Sequence, residues 1–329
     1  MNELLRMMRQ ALRQRALAAL ATAMTIAQCV LTLWLPMLMA DIVNNGVLQG
    51  SMAHVRSVSG RMLLVCVLMG ACGYAANQLC AVLGQRFALE LRLEAYDRVE
   101  RLSVAQATRL GLGSLITRLT VDVDSCASLA PAVLMMVIEP VLMMVGGIAA
   151  MWSIAPSFGL VFVGFVIVQL VVMALFIRGT APLFLKVRDI MDAMNNRLQN
   201  LLMNFRLIKA SNTQAEGEAA FGEANQALYE TAFAARKLVA LFNPIIMLIM
   251  NLAVAGVLYL SGVRVRTGAL NVGLVLSAIS YTEQVLLSMM TGGRIFKLIA
   301  ETKPSAVRVC EVLDPGGRAG RRRGAGRAV

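Results

Sequence analysis

The sequence predicts an all-α membrane protein with six transmembrane helices, and three observations carry that prediction. Of 329 residues, 58% are hydrophobic and only 15% charged, with a mean hydropathy of +0.69, so the main solvent of this chain is hydrocarbon. Uncharged or nearly uncharged runs of two dozen residues recur along it, each long enough as a helix, at about 1.5 Å per residue, to cross a bilayer core of roughly 30 Å. Between them lie two long polar stretches that keep helical spacing and so read as helices continuing out of the membrane.

The first run, 16–40, follows Arg6, Arg9, Arg13 and Arg15. It is too long for the apolar part of a secretory signal and further spans follow, so it reads as a retained helix. Residues 41–46 have the Asn and Gly chemistry of a loop, and the second span is 62–85. Beyond Gln85, Arg86 and Glu90, Glu94 and Arg98, and Asp97 and Arg101 stand at i,i+4, with Glu90 and Glu94 as a repelling pair. A helix kept through Leu102 projects about 25 Å past the membrane. Within the span, Cys72, Ala76, Cys80 and Gly84 recur every four residues, a stripe of small side chains that lets a second helix approach closely.

The third and fourth spans are 130–152 and 157–177, interrupted by Glu139 and joined by a turn at 152–157 with an interfacial tryptophan. Residues 178–237 return to water with Met194, Leu198, Leu201, Leu202, Phe205 and Ile208 at helical spacing. The fifth and sixth spans are 238–263 and 270–293, turning at 264–268, with Glu283 as the one acid in the last. Charge orients this topology. The four segments on one side carry 4, 6, 8 and 9 Lys plus Arg, whereas the other side carries only Arg56, Arg61, Arg264 and Arg266, so both termini are expected in the cytoplasm and the cytoplasmic membrane is the expected location.

Several classes are disfavoured. The net charge of +12 suggests nucleic acid, but no basic-aromatic module accompanies it, and no nucleic-acid partner is expected. Six cysteines without a CxxC pattern, and a single histidine, fit neither a disulfide framework nor a metal site. A membrane-embedded enzyme would cluster acids, histidines or nucleophiles at one membrane face, and a secondary transporter would have short inner loops and broken helices near the midplane; neither pattern is evident.

One polar stretch stands out between the apolar runs: Gly113-Ser114-Leu115-Ile116-Thr117-Arg118-Leu119-Thr120-Val121-Asp122-Val123. It resembles the G-x-L-[IV]-[ST]-R-[LT]-T-x-D-V segment that follows the first coupling helix in the transmembrane domain of ABC exporters, particularly bacterial multidrug exporters that work as heterodimers. Arg206-Leu207-Ile208-Lys209-Ala210 with Phe221 is similar to the second coupling region, and residues 268–273 with Tyr281 and Gln284 to the start of the sixth helix. Residues 305–314 are similar to the exit toward the nucleotide-binding domain. The resemblance covers about 12–314, and the domain is drawn as 1–314.

What the resemblance implies is a permease that dimerises, as a homo- or heterodimer with a second half-transporter, and exports amphipathic or cationic small molecules or lipids by ATP-driven alternating access. Lever helices outside the membrane would carry domain closure to the cavity. By resemblance, 105–112 forms the first coupling helix and 209–216 the second, so contact with the ATPase domain is expected at Thr108, Arg109, Leu110, Gly111, Lys209, Ala210, Ser211, Asn212 and Thr213. Three departures bear on coupling: Ser211 stands where the family has an aromatic residue, Thr213-Gln214 replaces a basic-acidic pair, and Pro304 is expected to interrupt the last helix. Ser211→Phe in the assembled transporter is therefore expected to raise cargo-stimulated ATP hydrolysis, since a buried aromatic ring contributes about 3 kcal/mol or more to a packed contact.

Glu139 and Glu283 are candidate cargo contacts, because a carboxylate near mid-bilayer costs on the order of 3 kcal/mol unless it meets a cavity or a partner. Met247, Asn251, Gln284 and Met289 are candidates for the same cavity, methionine being adaptable packing for varied apolar cargo. No G-x-x-x-x-G-K-[ST] phosphate loop and no ABC signature occur, so no cofactor is expected in this chain, and ATP and Mg belong to a nucleotide-binding domain. The purified chain should show no saturable ATP binding at micromolar nucleotide in equilibrium dialysis. Residues 315–329, dominated by Gly, Arg, Ala and Pro, are expected to be a disordered tail whose composition suits an out-of-frame GC-rich reading; a separate permease subunit or a truncated, non-pumping half-transporter are the corresponding readings.

Overall fold

The computed structural model describes residues 7, 14–204, 206, 209–210, 214–266 and 270–313. Every regular element among them is helical: α1 Arg15–Asp41, α2 Met52–Glu100, α3 Val104–Leu110, α4 Leu112–Ile154, α5 Pro156–Met203, α6 Gln214–Arg266 and α7 Val272–Leu313. All but the short α3 are long and apolar enough to cross a membrane, so this is a multi-pass membrane protein of the expected all-α class.

Local chemistry sets the boundaries. Residues 41–46, read from sequence as a loop, instead prolong α1 as the π-helical turn Ile42–Val47, in which Asn45 Nδ2 donates to Asp41 Oδ1 at 2.7 Å. The reversal comes later, at Gly50 with φ +66°, and Ser51 caps α2 by accepting from the His54 N–H at 3.4 Å. Helix α2 then runs 49 residues without a break, and its last turns carry the expected Asp97–Arg101 pair at 2.7 Å. Helix α3 opens with a reciprocal cap: Gln106 N donates to Ser103 Oγ at 3.3 Å, and Ser103 N to Gln106 Oε1 at 3.0 Å. It ends at Leu110, shorter than the 105–112 expected, because Gly111 adopts φ +79° and starts a new direction.

Helix α4 is composite, with π-helical turns at Arg118–Asp122 and Leu134–Ile138. Each such turn advances the side chains around the axis relative to a regular helix. Ala155, extended at φ −163°, separates α4 from α5, which begins on Pro156, a residue suited to a first helical position. Pro304 does not interrupt α7, which continues to Leu313. Thr302, Ser305, Ala306 and Val309 around it are all buried, and that packing holds the helix through the missing backbone donor.

Contacts divide the chain into two units. The first comprises Met1–Leu160 and Val257–Val329. At one end its core gathers Ala18 and Ala21 of α1, Leu83, Phe87 and Leu91 of α2, Val123, Cys126 and Leu134 of α4, and Ala306, Val309 and Leu313 of α7. At the other end Leu38 packs with Val58 and Val65. The buried small-residue stripe of α2 is Gly73, Ala76, Cys80 and Gly84, with Cys72 only half-buried. A strict four-residue repeat drifts around a helix of 3.6 residues per turn, so the contact line gains Gly73, where a Cβ would lie 3.1 Å from Gln28 Oε1.

Helices α1 and α7 are fastened by side chains that bond to backbone. Tyr281 OH donates to the Leu33 carbonyl at 2.7 Å, Ser277 Oγ to the Pro36 carbonyl at 2.6 Å, and the Gly273 N–H to Asn44 Oδ1 at 2.8 Å. Two of these acceptors, the Leu33 and Pro36 carbonyls, lie within one turn at Pro36, where the backbone ladder of α1 lacks a donor.

The second unit, Val161–Gly256, is an antiparallel pair made from most of α5 and α6. Gly256 lies against Phe165, the Phe176 and Phe242 rings sit 4.4 Å apart, Gly217 meets Leu201, and Arg197 donates to the Ala220 carbonyl at 3.2 Å. Of the apolar stripe expected at 194–208, Met194 and Leu201 are half-buried, Leu198 and Leu202 are exposed, and Phe205 and Ile208 lie outside the described residues.

Candidate functional site

Among the described residues of the first unit, a polar cluster lies where the foot of α4 meets the end of α7. Arg118 and Asp122 stand one turn apart on α4, at the two ends of its first π-helical turn. Arg308 and Glu311 stand three residues apart near the end of α7. Arg118 pairs with Glu311 at 2.9 Å, donates to the Arg308 carbonyl at 3.1 Å and is steadied by Ser114 Oγ at 3.3 Å. Arg308 grips Asp122 with both arms of its guanidinium, the Nε bond measuring 2.7 Å, and also donates to Ser305 Oγ at 3.2 Å. Next along, Thr302 Oγ1 donates to the Ser125 carbonyl, and Arg92 of α2 pairs with Asp124.

Burial decides how much this matters. The Arg118 and Glu311 side chains are 6% and 12% exposed, and that of Asp122 only 1%. Surface pairs contribute little, but a charge enclosed to this degree is tolerated only with its partner in place. Two cations and two anions balance, and the bidentate geometry fixes their orientation. Arg308 lies beyond the apolar part of α7, and hydrogen bonding to Asp122 holds its pKa above the ordinary value against the opposing effect of burial. Arg308 therefore keeps its charge in this pair.

Mechanically, this cluster makes the foot of α4 and the end of α7 one body. Helix α3 joins α4 through the single residue Gly111, and Val104 and Leu112, at 84% and 77% exposed, leave apolar side chains beside it. Helix α3 is thus connected to the joint through Gly111 and the first turns of α4.

The residues chosen from sequence fall as follows. Thr108 and Arg109 are exposed on the last turn of α3, Leu110 and Gly111 half-buried at its end, and Thr108 Oγ1 donates to the Val104 carbonyl at 2.9 Å. Lys209 and Ala210 are helical and exposed, while Ser211, Asn212 and Thr213 lie outside the described residues. Glu139 is half-buried, set between the second π-helical turn of α4 and Pro140. On α7, Glu283 is exposed, Gln284 half-buried and Met289 buried at 6%, so these three do not share one face. Met247 and Asn251 are exposed in the second unit, where Asn251 Nδ2 donates to the Met247 carbonyl at 2.8 Å.

Both halves of the charged joint were visible as motifs, at 113–123 and 305–314, yet their pairing across 186 positions was not. The available signal was the spacing: a cation and an anion one turn apart in each motif, which is the pattern two crossing helices need for reciprocal pairs.

Six helices long and apolar enough to cross a membrane, with a charged joint between α4 and α7, define a helical multi-pass membrane domain. Residues 18–289 match the ABC transporter transmembrane region, and the chain belongs to that family. It is 27% identical over 313 residues to an uncharacterized ABC transporter ATP-binding protein of Mycobacterium tuberculosis, covering 94% of this chain and 53% of that protein. It is 27% identical over 305 residues to the uncharacterized ABC transporter ATP-binding protein YfiB of Bacillus subtilis, covering 92% and 52%. A fatty acid ABC transporter ATP-binding/permease protein of Mycobacterium bovis is 27% identical over 241 residues, covering 73% and 38%. The chain thus spans about half the length of the first two relatives.

Proposed function

We propose that this chain is the transmembrane part of an ATP-driven exporter of amphipathic or cationic small molecules or lipids, working by alternating access in the cytoplasmic membrane with both termini inside. It pairs with a second half-transporter, and ATP and Mg are held on an ABC ATPase domain that this sequence does not contain. The charged joint supports this reading most directly. An exporter must convert movement of an ATPase outside the membrane into movement of helices within it, and the route from α3 through Gly111 and Arg118 to Arg308 supplies a stiff connection. Thr108, Arg109, Leu110 and Gly111 then form one docking contact and residues 209–213 the other, while Glu139 and Glu283 with Met247, Asn251, Gln284 and Met289 serve the cargo path.

The relative named as a fatty acid transporter keeps amphiphiles in view as cargo. The test is ATP-dependent uptake of fluorescent amphiphiles into inside-out vesicles carrying this chain with its ATPase, with and without a proton gradient. Uptake that needs ATP and survives collapse of the gradient supports the reading. Uptake that follows the gradient and ignores ATP makes the chain a secondary carrier.

A further inference from the structure

In the second unit, the antiparallel contact of α5 with α6 sets two cations side by side at the end of the apolar runs. Gly179 of α5 lies against Leu238 of α6, a Cβ on the glycine standing 3.6 Å from Leu238 Cδ2, and the Phe176 and Phe242 rings meet about one turn further into the span. These contacts fix the register of the pair. One residue before Gly179 and one before Leu238 the chain has turned by about 100°, and because the helices run in opposite directions the two turns bring Arg178 and Lys237 to the same side. Both are exposed, and among the described residues neither has an acidic partner.

On the span side of these cations the same face is apolar. Leu175 precedes Arg178 by three residues and Leu241 follows Lys237 by four, spacings that keep each leucine on the face of its cation, and they are 62% and 49% exposed. The apolar run of α5 ends at Ile177 and that of α6 begins at Leu238, so the two cations stand at the edge of the hydrocarbon. At that depth Lys and Arg lay their stems on apolar surface and extend their charged heads toward the lipid headgroups. The nearest acids of the two helices, Asp189 and Glu230, lie at least seven residues further from the span, so no carboxylate of the pair neutralises the charge there.

We propose that this face of α5 and α6 binds an anionic phospholipid of the surrounding bilayer, with Arg178 and Lys237 on its phosphate and an acyl chain along Leu175 and Leu241. Charge complementarity selects the occupant. Two like charges side by side at the hydrocarbon edge repel each other until an anion lies between them, and a zwitterionic headgroup brings an ammonium that offsets its own phosphate, whereas an anionic lipid does not. The forked guanidinium and the compact ammonium both suit phosphate oxygens. The inference goes beyond the exporter reading and does not depend on it, since it requires only that the chain spans the membrane.

The test is fluorescence quenching by brominated lipid, with the full chain reconstituted in vesicles. Leu241→Trp sets a reporter on the exposed face with little disturbance of packing, and vesicles without that substitution supply the background of Trp34 and Trp152. Dibrominated phosphatidylglycerol and dibrominated phosphatidylcholine are titrated in turn against unbrominated phosphatidylcholine. Phosphatidylglycerol is expected to associate about fivefold more strongly beside position 241, and combining Arg178→Gln with Lys237→Gln is expected to bring that preference down to about one. Arg266→Gln, at the far end of α6, is expected to leave it unchanged. Equal quenching by the two lipids, or a preference that survives loss of both cations, overturns the proposal. Quenching by neither lipid would mean that a partner helix covers the face, which overturns it as well. If glycerol 3-phosphate added to the buffer abolishes the preference, the cations take a soluble phosphate ester and the assignment to a lipid is overturned. Quenching needs neither ATP nor cargo, so its outcome is distinguishable from that of the uptake assay.

Discussion

Arg118→Met is expected to destabilise the folded chain by roughly 3–5 kcal/mol, because it removes one side of a largely enclosed ion pair with Glu311 together with the bond to the Arg308 carbonyl. Glu311→Leu should cost a similar amount by stranding Arg118. The double variant is expected to recover most of the loss, since the charge and its counter-charge leave together and apolar side chains of similar volume replace them. The measurement is thermal unfolding in detergent, read by a thiol-reactive fluorophore as the buried Cys80, Cys126 and Cys310 become accessible. If the double variant is as unstable as the two single losses added together, the pair does not act as a unit. If the proposed exporter reading holds, the same three variants should also lower cargo-stimulated ATP hydrolysis in the assembled transporter.

Gly273→Ala is the second large effect, at about 1–3 kcal/mol. A Cβ at this position would lie 2.5 Å from the Ala40 carbonyl and 2.7 Å from Asn44 Oδ1, so it collides with backbone and with the acceptor of its own N–H. Neither neighbour can swing aside without parting α1 from α7. Two other glycines provide the comparison. Gly146→Ala meets only the Leu33 Cδ1 at 2.3 Å, the far end of a flexible side chain, and is expected to cost less. Gly70→Ala meets nothing within 4 Å on an exposed face of α2 and is expected to be neutral or to stabilise, as alanine loses less backbone freedom than glycine. The ranking Gly273, Gly146, Gly70 in the same thiol-unfolding assay checks the assignment; Gly273→Ala with wild-type stability would show that the α1–α7 seam is loose.

How far the fold could be read in advance depends on the range of the interaction involved. The helices α1, α2 and α4–α7 contain the six apolar runs because a bilayer imposes a length that any chain must meet residue by residue. The long reach of α2 past Gln85 was legible in charges one turn apart, and the end of α3 less so, since 105–112 gives no hint that Gly111 takes φ +79°. Residues 41–46 misled because Asn and Gly suit loops, whereas tertiary contact with the start of α7 draws Asn44 into a π-helical turn. Pro304 misled in the same way: propensity argues for a break, and burial of its neighbours overrides it.

By itself, the sequence determined the solvent, the number of spans, the helical extensions and the family resemblance at 113–123, all of which follow from local composition and spacing. Only the tertiary structure decided that Arg118 meets Glu311, that Asp122 meets Arg308, and that α1 is laced to α7 around Pro36. The physical reason is that periodicity tells which face of a helix is apolar but not which helix it will face. That choice depends on contacts between residues nearly two hundred positions apart, whose complementarity appears only when the helices are packed.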